Sequence, residues 1–325
     1  MSELNELLRF EPIFRRYLWG GRRLGTVLGK PIGPGEDYAE SWELVDHGDD
    51  QSVVAFGELK GRTLATLAAE LGAELLGRHH PVARFPLLFK FLDCQRDLSV
   101  QVHPNDQQAS RLVPPDLGKT EAWIILDAQP GSRLFAGLKR GFDRAAFERE
   151  LHRGTAHLCL HQVAPQPGDC LFIPAGTIHA LGAGMLVAEI QQASDTTYRL
   201  YDWNRVGADG KRRPLQIEQG LAVTDFTRGP VEPQLPEATG DPDVCRLASC
   251  DKFIVDRVVA RGRRALGGDL RFHLIAVTKG AVEVEGDPSQ QPLTFGQTAL
   301  LPAAAGKREI RSVDGVSEFL EIYLP

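Results

Sequence analysis

The stretch LSVQVHPND, residues 98–106, alternates apolar and polar side chains with a period of two. The apolar set is Leu98, Val100 and Val102, and the polar set is Ser99, Gln101 and His103. Successive side chains of a β-strand point to opposite faces of the sheet. The pattern therefore predicts a strand whose valines are buried in a wall while Gln101 and His103 face a cavity, as in a small β-barrel.

Most of the chain has the same character, with short alternating or β-branched runs closed by turn residues. Examples are SVVAF, EAWIILDA, CLFIPA, LVAEIQ, FHLIAVTKGAVEVEG and FLEIYL, and the chain has 33 glycines and 21 prolines. These features predict a mainly β fold. Helical spacing occurs after a possible cap at Thr63 and in FDRAAFERELHRG, which ends on a glycine. We expect both segments to be short helical insertions packed against β-structure.

A composition shift divides the chain. The segment RGPVEPQLPEATGDPDV, residues 228–244, contains four prolines and several acidic residues, which is typical of a linker or a long surface connection. We therefore predict a first domain at residues 1–228, a proline-rich connection at 229–244 and a second domain at 245–325.

The two parts share a sequence pattern. GDCLFIPAGTIH (168–179) and GQTALLPAAAGK (296–307) each have a glycine, a hydrophobic strand, a proline and a turn of small residues. His179 ends the first copy, and Lys307 stands in its place in the second. The pattern favours two similar β-barrels, of which only the first carries a metal site.

Charge and composition limit the partners. The 325 residues carry a formal charge of −6, and the pI is near 5.9, so nothing general favours nucleic acid or an anionic membrane. The N-terminus lacks the pattern of a secretory signal, and no run of about 18 apolar residues occurs. The five cysteines form no CxxC pair, which suits a reducing compartment. We expect a cytoplasmic protein with a small-molecule partner.

A second strand repeats the arrangement of the first. In GKTEAWIIL, residues 118–126, Lys119, Glu121 and Trp123 share one face, and the turn PAGTI delivers His179 to the start of a third strand. The side chains of Gln101, His103, Glu121 and His179 would then form a metal site. Histidine nitrogen plus carboxylate oxygen is a usual catalytic zinc set, with an open position for water or substrate. A neutral amide ligand would leave the ion a stronger Lewis acid.

Simpler interpretations stay open. A single histidine on a strand is more often a hydrogen-bonded core or surface residue than a ligand, and Glu121 alone could be a solvated strand residue. A rival metal site is HLCLH, where His157, Cys159 and His161 share one face of a predicted strand. Next-but-one side chains on a strand lie about 7 Å apart. One ion would not easily collect all three, so this spacing favours an ordinary polar face.

A polar run follows the strand that contains Glu189. In MLVAEIQQASDTTYRLYDWNR, residues 185–205, Arg199 follows a polar turn. An arginine aimed into a metal cavity can stabilise an anionic oxygen or hold a phosphate. Alternatively, Arg199 pairs with a carboxylate such as Asp195 or Asp202. The pattern alone does not separate these alternatives.

Taken in order, these motifs resemble a known family. LFKFLDCQRDLSVQVHPND, GKTEAWIIL, IPAGTIHALGAG and EIQQASDTTYRLYDWNR are similar to segments of the type I phosphomannose isomerases, especially the short bacterial form. WGGRRL and ESWELVDHG also resemble the N-terminal segments of that family. The resemblance is specific from about residue 18 to residue 205 and looser towards the C-terminus.

The resemblance implies a cupin with a jelly-roll core and one zinc ion per chain, interconverting mannose 6-phosphate and fructose 6-phosphate. The metal ligands of the family fall on Gln101, His103, Glu121 and His179 of this sequence. Its active-site arginine falls on Arg199. Positions linked to substrate binding or proton transfer fall on Lys119, Glu189, Ser99 and Lys90.

Such a reaction passes a proton between C1 and C2 through an enediolate. We expect Arg199 and Lys119 to supply positive charge, Ser99 to donate a hydrogen bond to the phosphate, and Glu189 or a zinc-held hydroxide to move the proton. Two alternatives are a cupin that senses a sugar phosphate without turnover and an iron cupin oxygenase. We expect a monomer or a small homo-oligomer.

Overall fold

The computed structural model describes residues 4–207 and 210–325, and strands predominate over helices. The strands of the first half of the chain are β1 (Phe10–Glu11), β2 (Ile13–Gly21), β3 (Tyr38–Leu44), β4 (Asp46–His47), β5 (Asp50–Gln51), β6 (Val53–Val54), β7 (Leu87–Cys94), β8 (Val100–Val102), β9 (Glu121–Ala128), β10 (Leu134–Leu138), β11 (Leu160–Val163), β12 (Cys170–Ile173), β13 (His179–Leu181), β14 (Met185–Gln192) and β15 (Tyr198–Tyr201). The predicted mainly β fold is confirmed.

Two antiparallel sheets form the first unit. One has the order β12-β9-β14-β7-β3-β2 and the other the order β11-β10-β13-β8-β15. Side chains of both sheets share one core, to which β9 contributes Trp123 and β10 contributes Leu134. Val100 and Val102 of β8 are fully buried, as their alternation with Gln101 predicts. Burial of each valine contributes roughly 1.5–3 kcal/mol to folding.

The second unit repeats the strand order of the first. Its strands are β16 (Glu237–Ala238), β17 (Val244–Ser249), β18 (Ile254–Ala260), β19 (Arg263–Gly267), β20 (His273–Lys279), β21 (Ala281–Val284), β22 (Leu293–Thr294), β23 (Thr298–Leu301), β24 (Lys307–Ser312) and β25 (Ser317–Tyr323). They form sheets of order β16-β17-β18-β25-β20-β23 and β19-β24-β21-β22. Strands β23 and β24 thus stand where β12 and β13 stand in the first unit. The predicted pair of jelly-roll-like units is confirmed.

The helices are short and lie outside the sheets. They are α1 (Arg23–Thr26), α2 (Leu64–Glu70), α3 (Gly72–Leu76), α4 (Asp106–Ala109), α5 (Arg144–Arg153) and α6 (Ile217–Val223). The Thr63 side chain caps α2 by accepting from the Thr66 N–H at 3.2 Å. Asp143 caps α5 in the same way, and α5 ends at Gly154 in the left-handed region with φ 71°. Both predicted helical insertions are confirmed.

A continuous apolar core joins the two units. The large sheet of the first unit contributes Phe89 and Ile190 to it, and the large sheet of the second contributes Leu274 and Ile322. Leucines of α2 and α3 fill the same core. The first described residues also belong to this junction, because Leu8 N donates to Leu300 O at 2.9 Å and Leu300 N donates back to Leu8 O at 2.8 Å.

No helix in the two described ranges is both long enough and apolar enough to span a membrane.

Candidate metal centre

Three buried side chains of the first unit converge on one point. His103 follows β8, Glu121 begins β9 and His179 begins β13, and each is at most 1% exposed. One ligand atom from each lies within 4.8 Å of the others. Glu121 Oε2 is 3.5 Å from His103 Nε2, and Glu121 Oε1 is 3.3 Å from His179 Nε2. The structure thus brings together three of the four predicted ligands as a His–Glu–His group.

Backbone carbonyls orient both histidines. His103 Nδ1 lies 3.0 Å from the Thr196 carbonyl, and His179 Nδ1 lies 2.8 Å from the Thr177 carbonyl. A carbonyl only accepts, so each Nδ1 carries the proton and each Nε2 presents its lone pair to the group. The Thr196 segment is held in turn by Asp116, which accepts from the Thr196 hydroxyl at 2.8 Å.

The fourth predicted ligand, Gln101, lies beside this group. It is the register partner of His179 between β8 and β13, and its amide nitrogen is 3.3 Å from His179 Nε2. The oxygen and nitrogen of an amide exchange places by a half-turn about the last side-chain bond. Gln101 therefore has a ligand oxygen within reach of the same point.

The ammonium of Lys119 lies against the group. Its Nζ is 2.7 Å from Glu121 Oε2 and 3.1 Å from His103 Nε2. Lys119 is 3% exposed, so its charge is neutralised by neighbouring side chains rather than by bulk water. In this structure a cationic side chain contacts two of the candidate ligand residues.

Burial sets the protonation states of the group. It lowers the pKa of His179 to about 4. It also lowers the pKa of His103 well below the ordinary value, with Lys119 adding to the effect. Both imidazoles are therefore neutral at pH 7, the form that binds metal. Burial raises the pKa of Glu121 despite the adjacent Lys119.

These donors fit a divalent cation. Glu121 Oε1 is buried without a hydrogen-bond donor, and it faces the unprotonated Nε2 of His179. Two acceptors facing each other at 3.3 Å repel unless a cation or a proton lies nearby. Two neutral imidazole nitrogens and a carboxylate oxygen are the usual donor set of a catalytic zinc site.

A cavity of about 280 Å³ adjoins the group. It is lined by Tyr17, Trp19, Glu40, Lys90, Leu92, Leu98, Ser99, Gln101, Lys119, Trp123, Leu181, Glu189, Asp195, Thr197, Arg199 and Arg213. All five residues predicted to act on substrate, Arg199, Lys119, Glu189, Ser99 and Lys90, are therefore cavity-lining residues.

A chain of buried charges lines part of the cavity. Lys90 Nζ is 3.1 Å from Glu189 Oε1 and 3.4 Å from Glu40 Oε2. Burial alone would lower the pKa of Lys90, but Glu189 and Glu40 outweigh it and raise that pKa. Burial acts in the opposite direction on Glu189, yet Lys90 and Lys119 lower its pKa. The Trp123 indole also donates to Glu189 Oε2 at 3.0 Å. Glu189 is thus a fixed, ionised carboxylate.

Arg199 lies at another part of the cavity wall. Its Nε donates to Ser99 Oγ at 3.2 Å, and its Nη1 donates to the Pro214 carbonyl at 3.0 Å. Asp202 forms ion pairs with Arg205 and Arg213, so the alternative pairing of Arg199 with Asp202 is not found. Arg199 lines the cavity and bonds to Ser99 and the Pro214 carbonyl rather than to Asp202.

Other lining residues were not identified from the sequence as site residues. Glu40 lines the cavity and shares a face of β3 with the buried Trp42, whose indole donates to Glu40 at 2.6 Å. The alternation of ESWEL contained this signal. Arg213 lies between β15 and α6, outside any strand or helix, where no periodicity marks a functional residue.

The rival site HLCLH does not form a strand face. Residues 156–159 form a turn of 3₁₀ helix, and only residues 160–163 are a strand. The His157 ring stacks on Tyr201, whereas His161 faces Glu232 with 2.8 Å between Nε2 and Oε1. The strand prediction was wrong for His157 and Cys159. In the described ranges, the His–Glu–His group is the one cluster of such residues with metal-ligand spacing.

The second unit has different residues at the corresponding register positions. The counterparts of Gln101, Glu121 and His179 are Gly267, His273 and Lys307. His273 is 3% exposed and lies between two carboxylates, with Nε2 2.9 Å from Asp269 and Nδ1 2.7 Å from Glu321. The carboxylates lie on opposite sides of the ring, so they do not converge with it on one point.

Two jelly-roll-like units, with a buried His–Glu–His group beside a charged cavity in the first, define a cupin-type fold with a candidate metal site. The family description phosphomannose isomerase type I, catalytic domain, matches residues 7–120. Over 320 residues the chain is 36% identical to the mannose-6-phosphate isomerase ManA of Bacillus subtilis, covering 98% of this chain and 99% of that protein. It is 39% identical over 302 residues to the mannose-6-phosphate isomerase of Streptococcus mutans, covering 90% and 92%.

The fold comparison agrees. The crystal structure of mannose 6-phosphate isomerase from Bacillus subtilis superimposes with a TM-score of 0.88 at 28% identity, covering 98% of this chain and 100% of that one. The chain belongs to the type I phosphomannose isomerase family, and the prediction that it is an enzyme of that family is confirmed.

Proposed function

We propose that this enzyme interconverts mannose 6-phosphate and fructose 6-phosphate through an enediolate and depends on zinc. The observation that carries the proposal is a fixed carboxylate, Glu189, in the same 280 Å³ cavity as Lys119 and Gln101, directly beside the His–Glu–His group. Proton transfer between adjacent carbons needs a base on one side and positive charge near the developing oxyanion.

Gln101, His103, Glu121 and His179 would hold the zinc ion. When bound, zinc supplies a Lewis acid that draws electron density from the carbonyl of the open-chain sugar. The neutral state of both imidazoles and the buried, unpartnered Glu121 Oε1 support this assignment.

We assign the proton transfer to Glu189. Its carboxylate takes the proton from C2 of the aldose and returns it to C1, while a second proton passes between the two sugar oxygens. Lys90 and Trp123 hold this carboxylate in place, at 3.1 Å and 3.0 Å. Lys119 and Arg199 supply positive charge for the oxyanion, and Ser99 is a hydroxyl donor to the phosphate. Lys90 lines the cavity beside Glu189, where it would both bind the substrate and position this carboxylate.

The test is a coupled assay of mannose 6-phosphate conversion on purified protein, before chelation, after chelation and after readdition of zinc. Activity lost with chelator and restored by zinc supports the zinc-dependent isomerase. A metal-loaded but inactive protein supports a sensor, and iron with oxygen consumption supports an oxygenase. Deuterium from heavy water incorporated into the recovered sugar separates the enediolate route from a direct hydride shift.

The organisation of the chain follows the same proposal. We propose that residues 1–228 form the catalytic domain, 229–244 the connection and 245–325 a metal-free domain, since every residue lining the cavity falls between 17 and 213. The five free cysteines suit a reducing compartment, which supports a cytoplasmic enzyme. We also propose that the enzyme is a monomer or a small homo-oligomer, which light scattering would test. The proposed partner is a sugar phosphate rather than nucleic acid.

A further inference from the structure

The loop that joins β14 to β15, residues 193–197, reaches the candidate metal centre through one main-chain group. Its Thr196 carbonyl lies 3.0 Å from His103 Nδ1. Building on the proposed zinc site, we propose that Asp116 is a positioning residue, which holds this loop in place and thereby fixes the orientation of His103 as a zinc ligand.

The two histidines of the centre depend on their carbonyl partners in different ways. His179 Nδ1 donates at 2.8 Å to the Thr177 carbonyl, which lies two residues earlier in the same turn. His103 Nδ1 donates at 3.0 Å to the Thr196 carbonyl, which is 93 residues away in sequence. The first bond forms with the local fold of its own turn, whereas the second requires a distant loop to be held against the end of β8. His103 therefore needs a support outside its own segment.

Side chains determine where the Thr196 carbonyl points. The start of the loop is anchored by the main chain, because Ala193 N donates to the Pro86 carbonyl at 2.9 Å. Further along, the Thr196 N–H donates to the Ser194 hydroxyl at 3.2 Å. The position of the loop at Thr196 thus depends on what fixes these two hydroxyl-bearing side chains.

Asp116 binds both hydroxyls. Its Oδ2 accepts from the Ser194 hydroxyl at 2.7 Å and from the Thr196 hydroxyl at 2.8 Å. Its Oδ1 accepts from Arg84 at 2.5 Å and lies 3.3 Å from His47 Nε2. Burial would raise the pKa of Asp116, but the bonds from these four side chains outweigh burial and lower that pKa. The group is an ionised carboxylate, and hydrogen bonds to a carboxylate are stronger than those between neutral groups.

Asp116 is itself fixed relative to the ligands. Its N–H donates to the Ala109 carbonyl at 3.1 Å, and its Oδ1 also accepts from the Leu117 N–H at 2.8 Å. Ala109 ends α4, the helix that follows His103, and the segment of Asp116 continues into β9, which begins at Glu121. The carboxylate therefore links the loop to the two chain segments that carry these ligands.

This arrangement has a consequence for metal binding. Rotation of an imidazole moves its Nε2 away from the metal, so the partner of Nδ1 contributes to affinity, and loss of such an outer partner typically lowers metal affinity 10- to 100-fold. The bonds of Asp116 go to the loop, to Arg84 and to its own segment. Its removal would thus act on zinc through Thr196 rather than through a direct contact.

The experiment compares Asp116→Ala and Thr196→Val with the matched control Asp256→Ala. Asp256 is a buried carboxylate of the second unit with the same kinds of partner, because it accepts from Arg246 Nε at 3.0 Å and from the Tyr323 hydroxyl at 2.6 Å. Zinc affinity, measured by competition with a fluorescent chelator, should fall about 10- to 100-fold in Asp116→Ala. Thr196→Val keeps the carbonyl and loses only the hydroxyl, so its affinity should fall about 3- to 10-fold. Asp256→Ala should bind zinc as the wild type does.

Cobalt in place of zinc provides a second readout, because its visible absorption depends on the geometry of its ligands. The spectrum should change in Asp116→Ala and match the wild type in Asp256→Ala. An unchanged zinc affinity in Asp116→Ala, or an equal loss in Asp256→Ala, would overturn the inference. Thermal midpoints of the metal-free proteins identify variants that fail to fold, and if Asp116→Ala is one of them, an unchanged affinity in Thr196→Val overturns the inference instead.

The same measurements on the wild type separate this inference from the proposed function. A wild-type protein that binds zinc but does not convert mannose 6-phosphate would refute the proposed isomerase alone. A wild-type protein that binds neither zinc nor cobalt would refute the proposed zinc site and this inference with it.

Discussion

Replacing Lys119 by methionine should make zinc bind more tightly. The Lys119 ammonium is 2.7 Å from Glu121 Oε2, and the two side chains are 4% and 1% exposed. Without zinc, the substitution leaves a buried carboxylate without its partner. Breaking such a pair costs about 3–5 kcal/mol. In the zinc-loaded protein the ion itself neutralises Glu121, so the loss should be smaller.

A thermodynamic cycle converts this difference into affinity. If the metal-free form loses about 4 kcal/mol and the loaded form about 1 kcal/mol, the gain in zinc binding is about 3 kcal/mol. Each 1.4 kcal/mol is tenfold, so zinc should bind roughly 100-fold more tightly to Lys119→Met. Burial raises the pKa of Glu121, and removal of Lys119, which lowers that pKa, would raise it further. Protonation of Glu121 would limit the loss in the metal-free form, so the gain in zinc affinity should grow with pH and the experiment belongs at alkaline pH.

The assay is competition for zinc against a fluorescent chelator of known affinity, combined with thermal unfolding in the presence and absence of zinc. Lys90→Met is the matched control, because it removes a buried ammonium from the same cavity whose partners are Glu40 and Glu189. Its zinc affinity should change less than that of Lys119→Met. Equal or weaker zinc binding by Lys119→Met, or the same fall in midpoint with and without zinc, would refute the reasoning.

Three further predictions concern other parts of the molecule. Arg199→Ala should retain zinc, because the Arg199 side chain is separate from the His–Glu–His group, and should lose most of its kcat. Metal analysis checks the zinc content, and a kcat near the wild-type value would contradict the catalytic role of Arg199. His273→Gln should flatten the pH dependence of stability. Against the effect of burial, Glu321 and Asp269 raise the pKa of His273, so its contribution is present below the unfolded pKa of about 6.5 and is lost as pH rises through the folded pKa. Urea unfolding at pH 6 and pH 9 checks this, and equal losses in wild type and variant would exclude it. Asp143→Ala removes the N-cap of α5, so the free energy of unfolding should fall by about 1 kcal/mol while kcat stays unchanged. An unaltered urea midpoint would show that the cap contributes nothing.

Local periodicity predicted that the His–Glu–His group comes together, because its members lie on or next to strands. Gln101 and His103 follow from the alternation around β8, and Glu121 and Lys119 follow from that around β9. The Pro/Gly turn before His179 brought the last member of the group to the start of β13. A side chain on a strand can point to only one of two faces of the sheet, and the buried apolar residues determine which face the polar side chains occupy.

The remaining site residues depend on contacts that no local pattern contains. Arg213 has no strand or helix of its own, and its position follows from Asp202, which lies eleven residues earlier. The segment HLCLH alternates as a strand would, yet its first part is 3₁₀ helix beside α5, because ring contacts of His157 with Tyr201 and Trp203 override the alternation. Tertiary packing decided both cases.

The pairing of Leu8 with Leu300 also has a consequence for how the chain is made. During synthesis Leu8 leaves the ribosome almost 300 residues before its partner Leu300. The first unit can collapse around its own sheets, but the junction with the second unit can form only when the chain is free as far as β23. A nascent chain stalled before Leu300 would leave apolar residues of the large sheet, such as Phe89 and Ile190, without part of their packing partners. Synthesis of β23 and closure of the junction are therefore coupled events in the biosynthesis of this enzyme.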